Sequence, residues 1–254
     1  MPQPSPALPD PEMLLKAFAK RRFSASGPAR LQQCAGRPIV LAQMAVDLRQ
    51  ERQDLAARIR ASTVLTDTRI LNAFAHVPRH VFLSEAQRPV AYEDRALPLD
   101  EGQTVSQPSM IAIMLSELAC ETGQRALEVG TGSGYAAAVL GQLVARVYGV
   151  EVRPTLAARA RLSLERAGAH NVQVFTADGT LGLPEHAPYD RILVSAAPAR
   201  VPDALIEQLV VGGRIAIPVG DAHSQTLIVG LKTSPANVEW RRTVPCIFVP
   251  LVSD

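Results

Sequence analysis

The chain has 254 residues, 47% of them hydrophobic, with 26 basic against 24 acidic side chains and a net charge of +2. That near balance excludes the strong one-signed field of a protein built for nucleic acid or an anionic membrane, no apolar run approaches the roughly 20 residues that cross a bilayer, and the start lacks the charged-then-apolar order of a secretory signal. Three widely separated cysteines, Cys34, Cys120 and Cys246, suit neither a disulfide framework nor a zinc site and point to a reducing, cytoplasmic setting.

Residues 1–46 read as an extension, partly disordered or helical. Met1 to Asp10 is rich in proline, and Met13 to Val46 holds Lys16, Lys20, Arg21 and Arg22 but no acid. Acid-poor basic composition can mark an organelle transit peptide; a disordered or loosely docked basic tail is favoured. Leu41, Met44, Leu48, Leu55 and Ile59 recur at helical spacing, which predicts one helix over Ile39 to Arg60 leading into a main domain at 47–254. Asp67 can cap a second helix carrying Ile70, Leu71 and Phe74, ended by Pro78. Val81 to Val105 has little periodicity and reads as loops with a short strand at Ala96 to Leu99. Pro108 then opens the apolar series Ile111, Met114, Leu115 and Leu118, so a helix begins just beyond Gln107. Thr104, Val105 and Ser106 lie on its approach, with Ser106 where a cap could sit.

From Arg125 the pattern alternates. Strand Arg125 to Val129 leads to a helix over Tyr135 to Val144, strand Arg146 to Val150 to a helix over Pro154 to Ala167 stopped by Gly168. Strands at Val172 to Ala177 and Arg191 to Ser195 follow, then a helix from Pro202 to Val211 stopped at Gly212-Gly213, then strand Arg214 to Pro218. Short links between alternating elements imply right-handed βαβ crossovers and an α/β fold with a mostly parallel sheet. Gln225 to Leu231, Val238 to Val244 and Cys246 to Val249 are strand-like with no helix between them, predicting an antiparallel C-terminal edge.

Ligands of such sheets bind beyond the carboxyl ends of the strands. Glu128 and the loop Gly130-Thr131-Gly132-Ser133-Gly134 end the first strand of this series, Glu151 the second, Asp178-Gly179 the third and Ser195-Ala196 the fourth, so all fall on one rim. Glycines at Gly130, Gly132 and Gly134 can take positive φ and admit a ligand close to the backbone. Glu151, about 20 residues beyond them, can accept both hydroxyls of an adenosine ribose or be a solvated strand-end acid. Asp178 can meet an adenine amino group while Gly179 leaves the ring uncrowded, or simply form a turn. Glu128, buried near a strand end, needs a partner: the ammonium of a bound amino acid, or a Lys or Arg of the protein. The spacing is G-x-G-x-G, not the G-x-G-x-x-G that seats a pyrophosphate, which favours S-adenosyl-L-methionine over a nicotinamide cofactor.

With those residues in place, the chain from about Asp47 to its end resembles the protein-L-isoaspartate O-methyltransferase family. The resemblance is carried by Val77-Pro78-Arg79-His80-Val81-Phe82, Ala91-Tyr92-Glu93-Asp94, Gly102-Gln103-Thr104-Val105-Ser106-Gln107-Pro108, the glycine motif, Pro184-Glu185-His186-Ala187-Pro188-Tyr189-Asp190, Gly212-Gly213-Arg214, Ile217-Pro218-Val219-Gly220 and Phe248-Val249-Pro250-Leu251. It implies a Rossmann-like class I S-adenosylmethionine-dependent methyltransferase with an added N-terminal helical segment, repairing isoaspartyl-containing peptides and proteins and releasing S-adenosyl-L-homocysteine. It further implies that Ser106 is the active-site hydroxyl, that Thr104, Val105 and Gln107 border cofactor and substrate, that Glu128, Glu151, Asp178 and Gly179 hold the cofactor, and that Gln225 lines the site more weakly.

The chemistry agrees with this set of groups. A carboxylate with a pKa of about 4 is already ionised at pH 7, so its methylation needs orientation and a dry site rather than a general base. Ser106 can donate a hydrogen bond to one acceptor oxygen while the other attacks. No metal is expected, since Pro78 between His76 and His80 disrupts a helical ligand pair. Ser195-Ala196-Ala197-Pro198 departs from the family's Thr-Ala-Ala, and with the extension it keeps open a tailoring enzyme that methylates an ordinary aspartate. A module that binds the cofactor without catalysis is a third possibility, opposed by the intact Thr104-Val105-Ser106-Gln107.

Overall fold

A computed structural model describes the backbone of residues 37–253 and the side-chain environment of residues 48–253. The expected basic tail lies outside the described residues, and the account below concerns the compact unit Val46–Asp254. Helix α1, Arg37–Ser62, extends two residues beyond each expected end, and Leu55 and Ile59, four apart on one face, are completely buried. Helix α2, Thr68–His76, starts at Asp67, whose carboxylate accepts from the Arg69 N–H at 2.9 Å as the sequence predicts. It buries Ile70, Ala73 and Phe74.

The loop region carries a two-residue hairpin, β1 (Leu97–Pro98) against β2 (Thr104–Val105), so Thr104 and Val105 belong to a strand and not merely to a helix approach. Between them Glu101 and Gly102 take φ of 57° and 70° to close the turn. Helix α3, Pro108–Leu118, begins where expected. Then follow β3 (Arg125–Val129), α4 (Tyr135–Gly141), β4 (Arg146–Glu151), α5 (Pro154–Arg166), β5 (Val172–Thr176), β6 (Tyr189–Val194), α6 (Asp203–Glu207), β7 (Leu209–Gly220), β8 (Gln225–Ser234) and β9 (Asn237–Cys246).

Among the described residues one seven-stranded sheet has the order β5-β4-β3-β6-β7-β8-β9. Pairing is parallel from β5 to β7 and antiparallel at β7-β8 and β8-β9. The pleat sorts the side chains of the sheet into two cores. Ala126, Val147, Leu193 and Ala216 face one, with α2 to α5; Leu127, Val129, Val150, Ile192, Val194, Ile215 and Ile217 face the other. Each fully buried leucine there stabilises the fold by about 1.5–3 kcal/mol. Strand order reverses between β4 and β6 on either side of β3, which makes the carboxyl end of β3 the place for a ligand.

Three further departures from the sequence expectation have a visible cause. Helix α4 stops at Gly141, not Val144, because the Asn171 amide takes the carbonyls of Gly141 (2.8 Å) and Val144 (3.3 Å). Helix α6 stops at Glu207, not Val211, because Leu209 pairs with Tyr189; Gly212, at φ 84°, then turns a bulge before the ladder resumes at Arg214 opposite Arg191. The third concerns Cys246 to Val249, which is not a separate strand. Instead β9 runs unbroken to Cys246, and the tail beyond it crosses the end of β6, with the Ala197 N–H donating to the Val249 carbonyl at 2.8 Å and the Leu251 N–H to the Ala197 carbonyl at 2.9 Å. Among the described residues no helix is long and apolar enough to cross a membrane.

Candidate active site at the end of strand β3

The glycine loop is tied to the neighbouring strand. The N–H groups of Gly130 and Thr131 donate to the Val150 carbonyl at 2.8 and 3.1 Å, and the Gly132 N–H donates to Glu151 Oε2 at 2.8 Å. Gly130, Gly132 and Gly134 have φ of 80°, 53° and 89°, the region that favours glycine. The loop is thus bonded to β4 by three of its own N–H groups.

That loop forms one wall of a cleft of about 510 Å³, counted to its open mouth and including the solvent-filled space there. Thr104, Gly130, Gly132, Glu151 and Gly179 line it, together with Gln103, Arg153, Ser195 and the tail Val249–Val252. Glu151, nearly buried, receives the Gly132 N–H on Oε2 and the Arg153 N–H, at 3.0 Å, on Oε1. Each oxygen keeps a lone pair for a further donor, so the fixed carboxylate can still accept two hydroxyls. Gly179 lies so close to Val129 Cγ1 that a Cβ would fall 2.5 Å from it, so a side chain there would crowd the cleft wall.

Glu128 is completely buried. Its Oε1 accepts from Ser195 Oγ at 3.3 Å, while Oε2 has no partner among the described residues. Burial, eased a little by the hydroxyls of Ser195 and Thr131, pushes its carboxyl up to about 8. Among the described residues no Lys or Arg fills the partner's place. Ser195, where the family pattern expects threonine, still supplies a hydroxyl. Asp178 forms the turn held open as the alternative to an adenine contact, taking both the Thr180 N–H (2.8 Å) and the Thr180 hydroxyl (2.7 Å) on Oδ1; these contacts leave Oδ2 uncommitted.

Glu128, Asp178 and Ser106 are not among the residues that line the cleft, and other expected residues also stand outside it. Val105 is buried in the core opposite Leu97. Gly134 faces α5, where its missing Cβ would sit 3.2 Å from Leu164 Cγ. The Gln107 amide turns to Asp94, donating to its carbonyl at 3.1 Å and to Oδ2 at 3.3 Å. Gln225 differs most from its expected role as a weak lining residue: its amide donates to the carbonyls of Asp221 and Phe248, both at 3.0 Å, and accepts from the Phe248 N–H at 2.6 Å. It fixes the start of the tail that lines the cleft. The tail itself was missed by sequence reading, and only Pro250, which cannot donate to a ladder, hinted that the last strand had ended.

Ser106 follows β2 by one residue and accepts from Arg79 through its carbonyl. It does not cap α3: the cap residue is Gln107, whose side chain makes no capping bond to the helix, and the Ser109 N–H donates to Asp94 Oδ1 at 2.8 Å. The Ser106 hydroxyl is thus free of capping duty.

The comparisons point the same way as this geometry. The family model described as protein-L-isoaspartate(D-aspartate) O-methyltransferase matches residues 50–254. A protein-L-isoaspartate O-methyltransferase of Aeropyrum pernix is 44% identical over 210 residues, 81% of each chain, and one of Roseiflexus sp. is 48% identical over 188 residues, 74% of this chain and 86% of the relative. A solved protein-L-isoaspartate O-methyltransferase superposes with a TM-score of 0.72 at 30% identity, over 78% of this chain and 65% of its own, so this chain spans just under two thirds of that structure. A Plasmodium falciparum structure in complex with S-adenosyl-L-homocysteine, 21% identical, shares the fold with a TM-score of 0.70 over 80% of this chain and 99% of its own. The chain belongs to the protein-L-isoaspartate(D-aspartate) O-methyltransferase family.

Proposed function

We infer that the cleft at the end of β3 takes S-adenosyl-L-methionine, and that the chain methylates the free carboxylate of L-isoaspartyl residues in damaged peptides and proteins. S-adenosylmethionine-dependent methylation in protein repair is the activity of the family to which the chain belongs. The observation that carries the residue assignment is the orphaned Glu128 Oε2: a buried acid with no cation beside it among the described residues suits a ligand's ammonium. Glu151, fixed by two backbone N–H groups, would take the ribose hydroxyls, Asp178 Oδ2 the adenine amino group, and Gly130, Gly132 and Gly179 the close approach. Thr104 and the neighbouring Gln103 would border both reactants. When bound, the cofactor supplies an electrophilic methyl group.

The protein's own part is orientation. The acceptor carboxylate is ionised at neutral pH, so no residue need remove a proton. Ser106, relieved of capping by Asp94, donates a hydrogen bond to one acceptor oxygen and leaves the other free to attack in line. The tail Val249–Val252 narrows the cleft and keeps water from the reacting groups. The methylating domain begins near residue 47, its partners are isoaspartyl polypeptides rather than nucleic acid or membrane, and its setting is cytoplasmic. The test offers labelled S-adenosylmethionine with two peptides that differ only in aspartyl or isoaspartyl linkage. Label confined to the isoaspartyl peptide is expected; equal labelling, or label on the aspartyl peptide alone, would sink the repair reading.

A further inference from the structure

Val77 to Phe82 and Ala91 to Asp94 are motifs that neither the cofactor cleft nor the acceptor chemistry uses, and they meet beneath Ser106. Arg79 is completely buried, and among the described residues it has no salt-bridge partner. Its guanidinium donates to the carbonyls of Ala91 (3.0 Å), Glu93 (2.8 Å), Arg95 (2.9 Å) and Ser106 (3.3 Å), and lies 5.5 Å from the centroid of the Tyr135 ring. Burial holds its pKa below the ordinary arginine value, which marks the desolvation that the four carbonyl dipoles and the ring face must offset. A side chain that only filled the core would not need that charge. The rigid fork of N–H groups suits another task, gathering carbonyls from a segment that has almost no ladder of its own.

Asp94, between two of those carbonyls, works toward the helix. Its Oδ1 accepts from the Ser109 N–H in the first turn of α3, and its Oδ2 and carbonyl accept from the Gln107 amide. Ser106 is thus held on its own carbonyl by Arg79 and on the following residues by Asp94.

We propose that Arg79 and Asp94 are positioning residues, which fix the backbone from which Ser106 presents its hydroxyl to the acceptor carboxylate. The inference rests on the catalytic reading of Ser106, so the test separates the two. Arg79→Lys, Asp94→Asn, Ser106→Ala and the double variants Arg79→Lys/Ser106→Ala and Asp94→Asn/Ser106→Ala are compared by kcat and KM on the isoaspartyl peptide, by S-adenosyl-L-homocysteine affinity and by thermal midpoint. Arg79→Lys and Asp94→Asn are each expected to lower kcat by about tenfold or more, with cofactor-product affinity held within about twofold. In the Ser106→Ala background each should cost less than about twofold, because the group they position is gone. Losses as large in that background as in the native protein, or losses that follow cofactor-product affinity, would overturn the proposal. If Arg79→Lys does not fold, the Asp94→Asn cycle decides alone: it keeps an acceptor for Ser109, removes the carboxylate charge and takes Oδ2 from Gln107, whose bond to the Asp94 carbonyl remains. A full native rate in Ser106→Ala would remove the catalytic reading first, and the positioning role with it, an outcome visible in the single variant before any cycle.

Discussion

At the end of β3 the cofactor rim is held chiefly by backbone: Gly130 and Thr131 bond the Val150 carbonyl, and Gly132 and Arg153 N–H groups hold Glu151. The acceptor segment from Ala91 to Gln107 has only two-residue strands and is held by side chains, Arg79 from beneath and Asp94 from the side. A rim built of main chain is set by local conformation and tolerates most substitutions except those at its glycines and its acids. A segment built by side chains depends on one or two residues distant in sequence. On the proposed assignment the methyl donor would have a seat fixed by local geometry, while the acceptor would depend on a longer-range scaffold.

The sharpest way to break this contrast is at Glu128. Glu128→Gln removes the partner of a ligand ammonium, and losing one half of a buried charged pair costs about 2–5 kcal/mol. S-adenosyl-L-homocysteine affinity measured by calorimetry should fall by roughly 30-fold or more, with the protein still folded. On the acceptor side the pattern reverses: Ser106→Ala should lower kcat by about 10²-fold, the scale of one oriented donor in a dry site, while the same calorimetry shows unchanged affinity. If both variants lost affinity equally, the two regions would not be separable.

Stability sharpens the comparison further. Glu128 is held near 8 in the folded protein against an ordinary value of 4.5, so between those pH values the folded state binds a proton that the unfolded state has released. Its contribution to stability therefore falls as pH rises from about 4.5 through 8, and is lost above that. Thermal midpoints of the unliganded protein should show that decline, and Glu128→Gln should flatten it. Gly134→Ala places a side chain at φ 89° and 3.2 Å from Leu164, and a loss of about 1–3 kcal/mol is expected from urea unfolding. The smallest effect belongs to Glu93, whose side chain makes only a half-exposed pair with Arg95. Glu93→Gln should change stability by less than about 1 kcal/mol, since Arg79 uses the Glu93 carbonyl and not its carboxylate; a larger loss would mean that the segment depends on its surface pair.

Much of the rim is legible in the order of residues alone. The positive φ of all three loop glycines, the buried Glu128, Glu151 at the end of β4 and the turn at Asp178 all follow from alternating apolar strands and the residue types at their ends. The acceptor segment is legible only as a motif. Nothing in its spacing tells that Asp94 rather than Ser106 serves the start of α3, or that Arg79 lies under four carbonyls. Gln225 shows the same limit: its strand is foreseen, but its hold on Phe248 depends on where the tail passes.

By itself the sequence determined the alternation of strand and helix, the parallel sheet with its antiparallel edge, and the glycines at the rim. Those features arise from hydrophobic period and from backbone conformations open to few residues, both of which act within a short stretch of chain. The tertiary structure decided the bulge that shortens α6, the tail that lines the cleft, and the bonds that hold the backbone at Ser106. Each depends on a polar side chain or a strand pairing that joins segments far apart in sequence, and burial is what makes the polar ones necessary, since no buried carbonyl or N–H group can go unpaired without cost.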